Sequence, residues 1–292
     1  MRLSLLALLA AFVAVAPAAQ TQLTTPRVSP YAEAHQTVGL TELAVTYHRP
    51  AVNGRRIFGG LEPYGEVWRA GANENTVFET STDIQIEGQT LPAGRYGFHT
   101  IPGEDEWTII FSTMADAWGS YSYDPVEDAL RVTVTPAEAP LTERLEFAFE
   151  DPSTDATTLV LSWAELAVPI AITVDTPAVV LDAMEVELRS IPGFYPDGWN
   201  QIARYAVDNG RRLEEALAWA ERSRGIQATF ANTMTTAAIL DALGRADDAR
   251  EMEAAAFDMA NEDEVRAYAR ERRRAGRSDQ AEAALERFGG MP

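Results

Sequence analysis

The sequence has 292 residues, a formal net charge of −20 and no cysteine. The acidity argues against nucleic acid and anionic membrane surfaces as partners, because both attract basic proteins. The lack of cysteine excludes disulfides, thiolate metal sites and a cysteine nucleophile. The fold must therefore be stabilised by its hydrophobic core, and a chain of this length is long enough for two domains.

The first residues have the pattern of a secretory signal peptide. Arg2 precedes an apolar run over residues 3–15, and Ala16-Pro17-Ala18 fits the small-x-small rule for cleavage. The run is shorter than the roughly 20 residues of a membrane-spanning helix. We therefore favour a cleaved signal peptide, residues 1–18, over a membrane anchor. We expect a protein exported to the periplasm or the cell exterior, without membrane insertion after cleavage.

Residues 25–175 are predicted to form a β domain. From about residue 40 to residue 174, segments rich in β-branched and aromatic residues are separated by turn signals such as EGQTLPAG and EDPSTD. Leu145, Phe147 and Phe149 alternate with polar or small residues, which is typical of a strand with one buried face. About eight short antiparallel strands indicate a sandwich or a barrel, and we favour an antiparallel β-sandwich.

An arginine- and glycine-rich stretch, YHRPAVNGRRIFGGLEPYGEVWRAGANENT, covers residues 47–76. Its glycines and prolines indicate a loop of fixed backbone geometry. Guanidinium groups favour planar partners such as carboxylates and phosphates. Two interpretations remain open: buried ion pairs with Glu62, Glu66 and Glu74, or a site for an anion or polar ligand.

The polar-ligand interpretation combines this loop with WGSYSYD, residues 118–124. Asn73 and Glu74 hydrogen-bond either their own backbone or a ligand, and the aromatic rings of WGSYSYD are of the kind that stacks on sugars. The alternative is that the rings of Phe58, Tyr64 and Trp68 close one end of the sandwich. The predicted ligand-binding residues are Arg49, Arg55, Arg56, Tyr64, Trp68, Arg69, Asn73, Glu74, His99, Trp118, Tyr121 and Tyr123.

These motifs resemble the DUF2911 family. The ordered series R-P, G-R-x-I-F-G, P-Y-G-x-x-W-R-x-G-A-N-E, A-G-x-Y and W-G-x-Y-x-Y-D falls within about residues 25–175. The resemblance implies an exported bacterial protein of uncharacterised function, in a family that often has tetratricopeptide-like helices after the β domain. It brings no established catalytic residues with it.

Residues 177–292 are predicted to form a tetratricopeptide-like helical array. Three Gly-Arg pairs recur at intervals of 34 and 32 residues, beginning at Gly210, Gly244 and Gly276. Alanines stand at similar positions before and after each pair, and helix pairs with this period stack to share a core. A plain helical bundle is the alternative. We expect the basic run over residues 270–274 to be a solvated face near a helix C-terminus.

Catalytic alternatives depend on the histidines, which are His35, His48 and His99. If the strand ends at His48 and His99 were adjacent, the two rings would form a metal site or an acid–base pair with Glu74 or Asp124. Known local metal spacings, nucleophile elbows, phosphate loops and dinucleotide fingerprints are absent from the sequence. We expect no cofactor, and we keep His48 and His99 as weak metal candidates.

The sequence therefore favours a binding protein over an enzyme. We expect a polar or carbohydrate-like ligand at the arginine and aromatic loops, and a peptide or protein partner on the helical repeats. The alternative is a cell-envelope hydrolase that acts on a glycan or peptide, with metal assistance through His48 and His99. A third interpretation is a purely structural loop held by ion pairs.

Overall fold

The computed structural model describes residues 25–289, and the predicted signal peptide lies outside them. Of the helices in this range, none combines the length and the apolar character that a membrane crossing requires. The elements of residues 25–289 are β1 (Tyr31–Val38), β2 (Thr41–His48), β3 (Thr76–Thr80), β4 (Ile84–Ile86), β5 (Gln89–Leu91), β6 (Gly94–Ile101), β7 (Trp107–Ser112), β8 (Asp128–Val134), β9 (Ala137–Glu150), β10 (Ala156–Thr173), α1 (Thr176–Glu187), α2 (Pro196–Asp208), α3 (Leu213–Ile226), α4 (Phe230–Ala242), α5 (Ala246–Met259), α6 (Glu262–Arg274) and α7 (Ser278–Gly289).

The strands form two antiparallel sheets. The first sheet has the order β1-β2-β3-β6-β7-β8, and the second has the order β5-β4-β10-β9. Their inner faces share one hydrophobic core, which includes Phe78 and Phe98 from the first sheet and Phe147 and Trp163 from the second. The predicted antiparallel sandwich followed by a helical array is confirmed.

Side-chain alternation sets the two faces of the first sheet. In β2, Leu43, Val45 and Tyr47 belong to the core, whereas Thr46 and His48 lie on the outer face. Strand β1 was not predicted from the sequence, because its core-facing side includes small alanines that give a weak apolar signal. Strands β9 and β10 have 14 and 18 residues and are longer than the short strands expected.

The arginine-rich loop between β2 and β3 closes one end of the sandwich. Trp68 stacks on Trp163, with ring centroids 5.6 Å apart and planes at 20°. Phe58 packs edge-on against Trp107 with centroids 4.8 Å apart. The indole nitrogen of Trp68 donates to the carbonyl of Gly71 at 3.2 Å. Phe58 and Trp68 are therefore core residues, and the loop is anchored by its aromatic side chains.

The strands and helices meet at residues 173–176. β10 ends at Thr173 and α1 begins at Thr176, whose hydroxyl donates to the carbonyl of Thr154 at 2.8 Å. Val179 of α1 packs against the sandwich core. The proposed domain boundaries, residues 25–175 and 177–292, remain predictions.

Six of the helices form three hairpins, α2–α3, α4–α5 and α6–α7. The repeated glycines Gly210, Gly244 and Gly276 lie in the three turns with φ angles of +62°, +78° and +73°, a left-handed conformation that glycine adopts readily. The predicted small positions are all buried, namely Ala203, Ala216, Ala237, Ala249, Ala269 and Ala281. The spacing thus located the hairpins, and their tetratricopeptide nature remains a prediction.

Ion pairs join the first hairpin to the third. Arg272 of α6 is 3% exposed and donates to both carboxylate oxygens of Asp208 of α2, at 2.7 and 2.5 Å. Arg204 of α2 donates to Glu271 at 3.0 Å. The expected solvated face at residues 270–274 is therefore wrong at Arg272, because Arg272 lies one helical turn after the buried Tyr268 on the same side of α6.

Arg272→Ala should lower the free energy of unfolding by about 3 kcal/mol, because it leaves the half-buried carboxylate of Asp208 without its main guanidinium partner. Denaturant unfolding followed by circular dichroism measures the loss. Arg273→Ala is the matched control, since Arg273 is exposed on the same helix and its removal should cost about 0.5 kcal/mol or less. Equal effects of the two variants would contradict the role assigned to Arg272.

Candidate functional site

A groove of about 730 Å³ lies on the outer face of the six-stranded sheet, and we call it the sheet groove. Its floor comes from β1, β2, β3 and β6, and its walls come from the segment before β1 and the loop between β7 and β8. Its polar and aromatic lining side chains include Arg27, Tyr31, Thr46, His48, Glu74, Asn75, Arg95, Asp116 and Trp118.

One row of side chains crosses the sheet at this groove. The β1–β2 register pairs Tyr31 with His48. The β2–β3 and β3–β6 registers, continued by one or two residues, place Asn75 between His48 and His99. Because neighbouring strands lie about 4.8 Å apart, the backbones of the two histidines are about 10 Å apart. The sheet thus sets two imidazoles and one amide on a common face.

His48, Arg27 and Glu74 form a polar cluster in the sheet groove. One guanidinium nitrogen of Arg27 lies 3.1 Å from Nε2 of His48 and 2.5 Å from Oε2 of Glu74. Since a guanidinium only donates, we infer that Nε2 of His48 accepts and that its ring proton is on Nδ1. The hydrogen bond from Arg27 lowers the pKa of Glu74 to about 2, and burial lowers the pKa of His48. At neutral pH the cluster therefore holds a carboxylate and a neutral imidazole.

His99 lies beneath the loop of residues 113–127. Its Nδ1 is 2.9 Å from the hydroxyl of Ser120, and its ring centroid is 5.4 Å from that of Tyr123. The loop backbone reaches the sheet because Gly97 has no side chain: a Cβ there would lie 2.5 Å from the carbonyl oxygen of Met114. Burial lowers the pKa of His99 to about 4, so its ring is neutral over the physiological range.

The two histidines have different hydrogen-bond partners. Nε2 of His48 faces Arg27, whereas Nδ1 of His99 faces Ser120. Over residues 25–289, no group of three or more histidine, aspartate and glutamate side chains has the geometry to hold a metal ion. The arrangement thus fixes each ring in its own polar contact.

Three of the four arginines that were predicted to bind a ligand either bond to other parts of the protein or are exposed on the loop. Arg49 pairs with Glu146 at 2.8 Å and donates to a backbone carbonyl of β9. Arg55 donates to two carbonyls of its own turn, and Arg56 is exposed. In the part of the chain that the structure describes, none of the three lines the sheet groove. Successive side chains of an irregular loop point in different directions, so closeness in sequence did not bring them together.

The fourth arginine, Arg69, contacts the loop between β7 and β8. Its guanidinium packs against Gly119, where a Cβ would overlap one of its terminal nitrogens. Its Nε is buried without a hydrogen-bond partner among residues 25–289. Burial also raises the pKa of nearby Glu62 to about 7, an effect that Arg69 and Arg55 oppose. Arg69 therefore contacts the wall loop rather than the open groove.

The remaining predicted residues divide between the groove and other surroundings. Glu74 and Trp118 line the sheet groove, and Trp118 is 59% exposed. Tyr64 packs against the core. Asn73 donates to a carbonyl before β1, and Tyr123 donates to a carboxylate of β8. Tyr121 is 87% exposed and lies outside the lining of the sheet groove as the structure describes it.

Several residues that line the sheet groove were not predicted from the sequence. Tyr31 and Arg95 have a usable signal, because alternation along paired strands puts them on the outer face with His48. Arg27 and Asp116 lie in irregular segments, where periodicity gives no information about side-chain direction. Side-chain alternation in the sequence therefore predicted only part of the site.

Comparison with known proteins places the β region in a family. Residues 29–172 match a family described as "Protein of unknown function (DUF2911)". No curated protein and no solved structure matches the chain. The matched range begins just before β1 and ends within β10, so it contains the floor of the sheet groove but not Arg27.

His99→Gln should flatten the dependence of stability on pH. Because burial lowers the pKa of His99 from 6.5 to about 4, its contribution is complete above pH 6.5 and is lost as the pH falls towards 4. Below pH 6.5 the unfolded chain binds a proton that the folded protein does not. The loss amounts to about 3 kcal/mol, and it is measured by denaturant unfolding at a series of pH values.

His35→Gln is the control for this experiment, because His35 is exposed on β1. Its profile should run parallel to that of the unmodified protein. If the profile of His99→Gln is also parallel, the buried state of His99 is refuted, whatever the absolute stability of that variant.

Proposed function

Residues 29–172 belong to the DUF2911 family, and from this premise we propose that the chain is a binding protein whose sheet groove holds a polar, carbohydrate-like ligand. The family description assigns no activity, so the proposal rests on the chemistry of the groove. The ligand would lie on the outer face of the sheet, between the segment before β1 and the loop of residues 113–127.

One observation carries the proposal: the sheet groove combines a polar cluster with exposed aromatic rings. Its volume of about 730 Å³ falls in the range of small-molecule sites, roughly 300–1,000 Å³. Arg27, Glu74 and His48 offer donors and acceptors side by side. Tyr31 and Trp118 are more than half exposed at its edges, and such aromatic faces suit the apolar face of a sugar ring.

The hydrolase alternative receives less support from the geometry. His99 is covered by the loop of residues 113–127, and its pKa of about 4 is far from that of a base matched to neutral pH. Nε2 of His48 is occupied by an N–H of Arg27. A ligand site without bond cleavage uses these groups as they stand, so we favour binding.

We further propose that the helical region binds a peptide or protein partner. Stacked hairpins give an extended surface. A groove of about 340 Å³ between the second and third hairpins has a mixed lining, in which Met234 and several alanines lie beside Asp241, Arg250 and Glu253. Where α2 and α6 approach each other, Arg204 and Arg272 already bridge the helices. The groove between the second and third hairpins is therefore the surface that we favour for the partner.

Export is a separate proposal that N-terminal sequencing tests. If residues 1–18 are a signal peptide, protein recovered from the periplasm or the medium of a Gram-negative host should begin at Ala19. Replacing Ala16 and Ala18 by bulky residues should block processing, because signal cleavage requires small side chains there. Exported protein that retains Met1 would contradict a cleaved signal.

Trp118→Ala and Arg27→Ala should each weaken ligand binding about tenfold or more, equivalent to about 1.4 kcal/mol. The ligand is first identified by a thermal-shift screen of residues 19–292 with neutral sugars, muropeptides, organic anions and divalent metals. A ligand at about 100 times its dissociation constant stabilises by about 2.7 kcal/mol. Calorimetric titration then compares the variants.

Tyr121→Ala and Arg56→Ala are the matched controls, since both residues are exposed outside the sheet groove. Their affinities should equal that of the unmodified protein. A screen without any hit would sink the binding proposal. An equal loss of affinity in all four variants would contradict the assignment of the site to the sheet groove.

A further inference from the structure

We propose that the outer face of the six-stranded sheet binds a neutral sugar chain of several units, rather than a single sugar or an anion. This inference rests on the proposed binding function and names its ligand class. It depends on a second groove of about 570 Å³, which we call the distal groove. The distal groove is lined by residues that include His35, Gln36, Thr37, Glu79, Ser81 and Arg95.

The two grooves are consecutive on one sheet face. Arg95 lines both of them. Its guanidinium donates to Glu79 on the distal side at 2.9 Å and to Asp116 on the sheet-groove side at 2.7 Å. Along β2, the floor continues from His48 in the sheet groove to Ala44 in the distal groove. Four residues of a strand span about 13 Å, which is longer than one sugar ring.

The charge balance of the two grooves disfavours an anionic ligand. Arg27 is paired with Glu74, and Arg95 is paired with both Glu79 and Asp116. The two guanidinium groups are therefore paired with three carboxylates. A further anion would be repelled by the excess negative charge. This argues against the anion site that arginine content alone suggested.

The same pairs suit hydroxyl groups. A sugar hydroxyl both donates and accepts a hydrogen bond, and an arginine–carboxylate pair presents a donor beside an acceptor. The distal groove adds the uncharged polar side chains of Gln36, Thr37 and Ser81. A chain of neutral sugars has hydroxyl groups over its whole length, so it would match these adjacent hydrogen-bond donors and acceptors.

The aromatic rings mark one end of the path. Tyr31 and Trp118 line the sheet groove, whereas the distal groove has the imidazole of His35 as its aromatic group. We therefore assign the sheet groove as the anchoring end, where a ring stacks, and the distal groove as the extension that adds hydrogen bonds. Affinity should then increase with the number of sugar units.

Calorimetric titration with oligomers of one to six units tests this, using β1,4-linked N-acetylglucosamine and α1,4- and β1,4-linked glucose. We expect at least one series to bind, with affinity about tenfold or more higher for six units than for two. Ala44→Trp fills the floor of the distal groove from an outward-facing position. It should remove the gain of the longer chain and leave the two-unit affinity unchanged.

Ala137→Trp is the matched control, because Ala137 is exposed on β9 in the other sheet, and it should retain the full length dependence. If affinity does not increase with oligomer length, or if Ala44→Trp leaves that increase intact, the extended path is overturned while the binding function stands. Preference for uronate or sulfated chains overturns the neutral class. If no oligomer binds but another polar compound does, only this inference fails; if nothing binds, the proposed function fails too.

Discussion

The packing of Trp68 against Trp163 fixes the point at which the loop between β2 and β3 leaves the sandwich. Trp68 also exchanges two backbone hydrogen bonds with Thr100, at 2.8 and 2.7 Å. Replacing a buried tryptophan by alanine typically costs about 3–5 kcal/mol, so this anchor is firm. Glu74 and Asn75 follow within seven residues and are carried to the outer face of the sheet. Backbone held in this way has little conformational freedom left to lose.

Periodic elements could be predicted from the sequence, and irregular ones could not. Alternation located most strands, and the repeated glycines located the turns of the three hairpins. The arginine-rich loop was expected to have a fixed geometry, yet its arginine side chains separate, because the direction of each depends on core contacts such as that of Phe58. The alternation of β2 placed His48 on the outer face, whereas nothing local to Arg27 indicated that it meets Glu74, 47 residues later.

Arginine serves two different purposes in this lysine-free chain. In the long loop, Arg49 and Arg55 satisfy backbone carbonyls and so hold irregular chain in place. On the outer sheet face, Arg27 and Arg95 pair with carboxylates that remain open to solvent. Arg49 and Arg55 of the motif therefore stabilise the loop, whereas the arginines that form ion pairs on the outer sheet face lie on other segments. Composition alone does not separate the two uses.

The bridge from Arg272 to Asp208 has a consequence for how this protein changes over evolution. In an ordinary repeat array each unit contacts only its neighbours, so units are gained or lost without harm to the others. Here α2 depends on α6, two hairpins away, because Asp208 takes its partner from there. Duplication of the middle hairpin would separate the two charges and break their ion pair. The ion pairs between the first and third hairpins thus constrain the number of hairpins.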